Sequence, residues 1–135
     1  MFAAVRTDLA TAISTITGLN TDPNGTVQAQ VTPPAAVLLP ADPFIDYSTV
    51  MDDDAFNLAF TILIVVGQAY SPDNQQTLDG YLEPSGATSI RAGLHASTST
   101  SWDFVIARRA RNVGLFEYNG QTYFGAQIDV EVSVS

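Results

Sequence analysis

The sequence predicts an α+β fold: an antiparallel-dominated β-sheet, an N-terminal helix and a central helix pair packed on one face, and a long C-terminal β-hairpin. Three observations carry this. Apolar residues near the start recur at three- and four-residue steps. Two later segments alternate apolar and polar residues, the pattern of a strand with one buried face. Between two strand-like runs stands Asn119-Gly120, a strong two-residue hairpin signal. Helical patterns grouped together, with strands joined by hairpins, favour helices segregated to one face of the sheet. The 135 residues suit one domain, 1–135, with no internal repeat and no linker.

Phe2, Val5, Leu9, Ile13 and Ile16 line one side of the first helix, which ends near Gly18. Asp22-Pro23-Asn24-Gly25 is a turn cluster, and 27–31 is a short strand candidate. Pro33-Pro34 pushes 35–39 toward an extended strand. Pro40 and Pro43 bound that strand and give it a free edge. Residues 42–54 are polar and irregular. The longest strand is 55–68, with Phe56, Leu58, Phe60, Ile62, Ile64 and Val66 on one face. Its second half is apolar on both faces, so both need cover, and another subunit is one source of it.

Ser71-Pro72-Asp73 is a helix start, with a cap, a proline at the first position and an acid in the first turn. That helix runs to Tyr81 or Leu82, and 83–86 breaks it. A second helix covers 87–95, with Ile90 and Leu94 on one face; 97–101 is a Ser/Thr loop. Residues 102–112 and 115–118 read as strand. In 121–134, Phe124, Ala126, Ile128, Val130, Val132 and Val134 face in, while Tyr123, Gln127, Asp129, Glu131 and Ser133 face out.

Composition excludes much chemistry. The chain has no Cys and no Lys, one His, and a net charge of -9 at 46% hydrophobic residues. This removes disulfides, thiol nucleophiles and Cys-type zinc sites. It also removes Schiff-base lysines and the P-loop lysine. The acidic balance disfavours tight nucleic-acid binding, which depends on Lys and Arg at phosphates. The start carries charges where a secretory peptide needs an apolar run, and the run 55–69 is too short to span a bilayer. The sequence reads as a soluble protein with no cofactor and no membrane partner.

Few residues group in a way that suggests a site. Asp52, Asp53 and Asp54 offer oxygen ligands of the kind a hard cation takes. Three consecutive residues cannot all point inward, so a solvated loop entering a strand is the plainer reading, and the acids discourage wrong strand pairing. His95 lacks a Gly-x-Ser-x-Gly nucleophile elbow to serve as base. Its place near a helix end suits the dipole instead. Glu117 and Glu131 fall on the hairpin and read as solvent-facing rather than as a glycosidase pair. Arg108, Arg109 and Arg111 are three of the five cationic residues. In strand geometry Arg109 and Arg111 share one face and Arg108 takes the other. DNA contact, a salt bridge to a neighbouring subunit, and internal pairs to Asp and Glu are the three readings of this cluster. Trp102, Tyr118 and Tyr123 read as core or cross-strand aromatics.

Several stretches together resemble a known family. They are Pro33-Pro34-Ala35-Ala36-Val37; Leu78 to Leu94, with its Pro84-Ser85-Gly86 helix breaker; Ala110-Arg111-Asn112-Val113-Gly114; Asn119-Gly120-Gln121-Thr122-Tyr123-Phe124-Gly125-Ala126; and Ile128-Asp129-Val130-Glu131-Val132. In that order, over nearly the whole chain, they resemble the tail terminator proteins of long-tailed bacteriophages, particularly those of actinobacterial hosts. The resemblance implies a non-enzymatic virion protein. Its copies form a hexameric ring on the head-proximal end of the tail tube, after assembly in the host cytoplasm. The implied partners are further copies of itself, the major tail tube protein and a head-completion or stopper protein. DNA would pass through the lumen without specific binding, which a net acidic wall favours. The family has no catalytic residues to carry over. As assembly surfaces the reading singles out Arg108, Arg109 and Arg111, the Asp52, Asp53 and Asp54 loop, and the Asn119-Gly120 hairpin tip. The alternatives are another head–tail connector or minor tail protein and, more remotely, a small carboxylate-using enzyme or ligand-binding domain.

Overall fold

The computed structural model describes residues 2–16, 19–20, 34–46, 56–67, 72–86, 88–118 and 120–134. Its elements are α1 (Phe2–Ser14), β1 (Ala35–Asp46), β2 (Phe56–Gly67), α2 (Pro72–Leu82), α3 (Ile90–Ala96), β3 (Phe104–Tyr118) and β4 (Gln121–Val134). The four strands form one antiparallel sheet in the order β1-β2-β4-β3. All three helices cover the same face. The expected α+β architecture is therefore present. The strand candidate 27–31 lies outside the described residues.

The core lies between that face and the helices. It joins Val5, Leu9 and Ile13 of α1, Leu78 and Tyr81 of α2, and Ile90 and Leu94 of α3 to the inward residues of β2 and β4. The inward set of β4 is the one that alternation predicts, from Phe124 to Val134. Burying one such side chain is worth about 1.5–3 kcal/mol, so this layer dominates the stability. No helix among the described residues is long and apolar enough to cross a membrane.

Four local expectations are corrected. β1 does not stop at its prolines but runs through Pro40 and Pro43 to Asp46, with a register shift between Pro40 and Ile45. An edge strand tolerates missing N–H donors on its outer side. Phe44 anchors the extension, its ring 5.2 Å from that of Phe60 and 5.9 Å from that of Phe2, all edge-on. The second central helix starts at Ile90, not at 87. Buried Ser89 caps it by accepting from the Ala92 N–H at 3.1 Å. β3 is one strand with two irregularities rather than two pieces, and it begins at Phe104; Trp102 precedes it and is buried. Tyr123, expected to face out, is buried with Ala35, Val37, Leu63 and Val65 on the second face of the sheet. The apolar second face of β2 is thus buried within the single chain, and no neighbouring subunit is needed to cover Leu63 and Val65.

Gly125 sets the closeness of the central strand pair. It stands opposite Val65 where β2 bulges before Gly67. A Cβ there would lie 1.8 Å from the Ile64 carbonyl oxygen.

Candidate interaction surface

The half of the sheet's second face near Asn57 is open. There a groove of about 950 Å³ is floored by Ala59, Thr61, Gln127, Asp129 and Glu131. Leu39 to Asp42 of β1 form one wall, and Arg108, Arg109 and Arg111 of β3 form the other.

All three arginines line the same groove, which corrects the expectation that Arg108 takes the opposite face. The cause is a bulge between Ala107, paired with Val130, and Arg109, paired with Asp129. One extra residue in β3 breaks the two-residue period and swings Arg108 to the open side. Its guanidinium reaches Glu131 at 2.9 Å. Arg111 Nε donates to both carboxylate oxygens of Asp129, at 3.0 and 3.1 Å. Arg109 reaches the same Asp129 only at 3.5 Å, with 70% of its side chain exposed. Of the three readings of this cluster, internal pairing is the one seen in the structure, and it is incomplete. Three guanidinium groups share two β4 carboxylates. Each exposed pair contributes about 0–1 kcal/mol.

A second bulge lies between Arg111 and Gly114. Asn112 adopts a left-handed conformation there, φ 57°, and its Nδ2 donates to Gln127 Oε1 at 2.8 Å. Past it, Val113 and Leu115 are 59% and 58% exposed, and Phe104 at the other end of β3 is 49% exposed. Among the described residues, every exposed large hydrophobic side chain lies on this outer strand.

The other singled-out positions are spread out. Asp52, Asp53, Asp54 and Asn119 lie outside the described residues. Gly120 is exposed in the hairpin turn, with φ 80°, the conformation a two-residue turn demands of its glycine. Glu117 stands opposite Thr122 and Glu131 opposite Ile106. Nine β4 residues separate those levels, about 30 Å of strand. Paired hydrolytic carboxylates sit within about 10 Å. His95, in the last turn of α3, accepts the backbone N–H of Ala107 at its Nε2, 3.2 Å away. It fastens α3 to β3 and occupies an outward donor of the edge strand. No group of three or more His, Cys, Asp or Glu residues gathers among the described residues.

One polar cluster escapes sequence reading. Asp8 of α1 accepts hydrogen bonds from Ser101, at 2.6 Å, and from Ser99. Donation first by Ser101 and then by Ser99 holds its carboxyl below the ordinary 3.8. The cluster ties the first helix to the 97–101 loop, across a shallow depression lined by Thr11, Thr15 and Thr98.

No family model matches the chain, and no curated protein matches it at a significant level.

Proposed function

We propose that the chain is a structural assembly subunit, a tail terminator that closes a ring on the head-proximal end of a phage tail tube. It would end tube polymerisation and offer the surface on which the head docks. One observation carries this: the outer strand β3 gathers the exposed large hydrophobic side chains of the described residues and the one concentration of arginine in an acidic chain. Aromatic, aliphatic and Arg side chains on an outer sheet strand are the composition of a contact surface. The sequence stretches that resemble the terminator family support the same reading, and so does an α+β fold of the expected layout. Repetition around a ring turns modest contacts into high avidity.

The test is electron microscopy of the protein mixed with tail tubes of a long-tailed phage of an actinobacterial host. The expected result is six-fold caps at one end only, with tubes that no longer elongate. Tubes that bind no protein, or bind it along their length, overturn the proposal.

A further inference from the structure

We infer that the two edges of the sheet are complementary surfaces for a second copy of this chain: Arg108 and Arg109 on β3 of one copy meet Asp42 on β1 of the next, head to tail. This rests on the assembly reading above and supplies the contact it needs.

Charge is the first argument. The outer edges of the sheet belong to β1 and β3. At the β3 edge, three guanidinium groups share two carboxylates, and Arg109 is the one left poorly paired. At the β1 edge, Asp42 is exposed, with no ion pair among the described residues. One edge therefore carries an underused cation and the other an anion with no ion pair among the described residues. An interface joining them uses different patches on the two partners, so it is heterologous and propagates.

Height is the second argument. Pro40 stands beside Phe60, Phe60 beside Val130, and Val130 beside Ala107. Ile45 likewise connects through Leu58 and Val132 to Val105. Asp42 thus lies level with the 105–107 segment, next to Arg108 and Arg109 and within reach of an arginine side chain. Copies set edge to edge with no rise along the strand direction bring the charges together. A contact without rise is compatible with a ring and not with a climbing filament; closure further requires that the rotation from copy to copy divide a full turn.

The backbone shows what kind of contact this is. Pro40 and Pro43 carry no N–H, and His95 already takes the outward N–H of Ala107. At the other end of β1, Asn20 closes the edge by bonding to Pro34 and Ala36, at 2.9 and 2.8 Å. The edges are therefore unsuited to a continuous hydrogen-bonded ladder at this level, and side chains make the contact. Phe104 adds an exposed apolar surface at the same end of β3.

The sequence contains no Cys, so introduced thiols report cleanly. Within one chain, positions 42 and 109 are three inter-strand spacings apart, about 14 Å. A disulfide needs Cα atoms within about 7 Å, so any bond between them joins two copies. The double variant D42C/R109C, mildly oxidised, is expected to give a ladder of covalent dimers, trimers and larger species ending at one closed size. D42C or R109C alone gives dimers at most. A double variant that links no further than the single ones overturns the inference. As a second measurement, R109E and D42R are each expected to sediment as smaller species than wild type, and their equimolar mixture to recover the wild-type distribution. A mixture that stays small also overturns it. A ladder from protein that leaves tail tubes bare keeps this contact and removes the terminator reading. Caps without a ladder do the reverse.

Discussion

Gly125→Ala is the sharpest test of the sheet that carries the arginine groove. A Cβ at this position would lie 1.8 Å from the Ile64 carbonyl oxygen and 3.1 Å from Val65 Cα, against 3.4–4 Å for ordinary contact. The obstacle is backbone, so no rotamer change relieves it. β2 and β4 must separate by roughly 1.5 Å at the Val65–Gly125 pair, between fully buried Ile64 and Phe124. Overpacking a core typically costs about 1–3 kcal/mol. Weakening about two ladder hydrogen bonds adds about 1 kcal/mol each. The sum is roughly 3–5 kcal/mol. Urea unfolding is the assay. With m of about 1–3 kcal/mol/M, the midpoint should fall by at least about 1 M with m unchanged. Gly86→Ala is the control, since its φ is +115° with nothing within 4 Å. It reports backbone strain without a clash, about 1–2 kcal/mol. A Gly125→Ala midpoint within about 0.2 M of wild type would refute the close approach.

Other outcomes follow from single contacts. His95→Ala removes the acceptor of the Ala107 N–H; a net bond of about 0.5–1.5 kcal/mol predicts two- to tenfold faster amide exchange at Ala107, measured by NMR. Arg111→Ala is expected to lower stability by up to about 1 kcal/mol and Arg109→Ala by less; coupling to Asp129→Ala in a double-mutant cycle should be larger for Arg111. Asp8 has a folded pKa below its ordinary 3.8, so its contribution is fully present above about pH 4 and is lost as pH falls through the folded value. A Ser99→Ala/Ser101→Ala variant should therefore show a flatter fall in the urea midpoint below pH 4 than wild type.

What could be read from sequence was local. The inward and outward sides of most of β4 follow from its period of two, and the hairpin from Asn119-Gly120, because both signals lie within a few residues. The helix-covered face of β2 was legible for the same reason. The unread features depend on partners distant in sequence. Asp8 meets Ser99 and Ser101 across more than ninety positions, with no local pattern to announce it. The free edge of β1 was legible in its prolines, but its continuation to Asp46 was not, because it depends on pairing with β2 across a register shift between Pro40 and Ile45. Tyr123 sits at an outward position of β4, yet it packs with Val37, Leu63 and Val65, a cluster that no single strand's pattern displays.

Arg108 shows how one such nonlocal feature reshapes the site. Strict alternation would separate Arg108 from Arg109 and Arg111, leaving two arginines with Asp129 and Glu131 on the open face. Those charges would balance internally. The bulge after Ala107 adds a third guanidinium to the same face and supplies no further β4 carboxylate. Arg108 then holds Glu131 and Arg111 holds Asp129 by two bonds, so the surplus falls on Arg109. Reversing Arg111 removes the two-bond pair to Asp129, whereas neutralising Arg109 leaves both strong pairs standing. A neutral variant at Arg109 therefore reports association with less effect on folding than a change at Arg111. The surplus charge is exposed, so its pull on a partner carboxylate would weaken with salt. In the proposed ring, a contact built this way would be reversible copy by copy and would become firm only on closure.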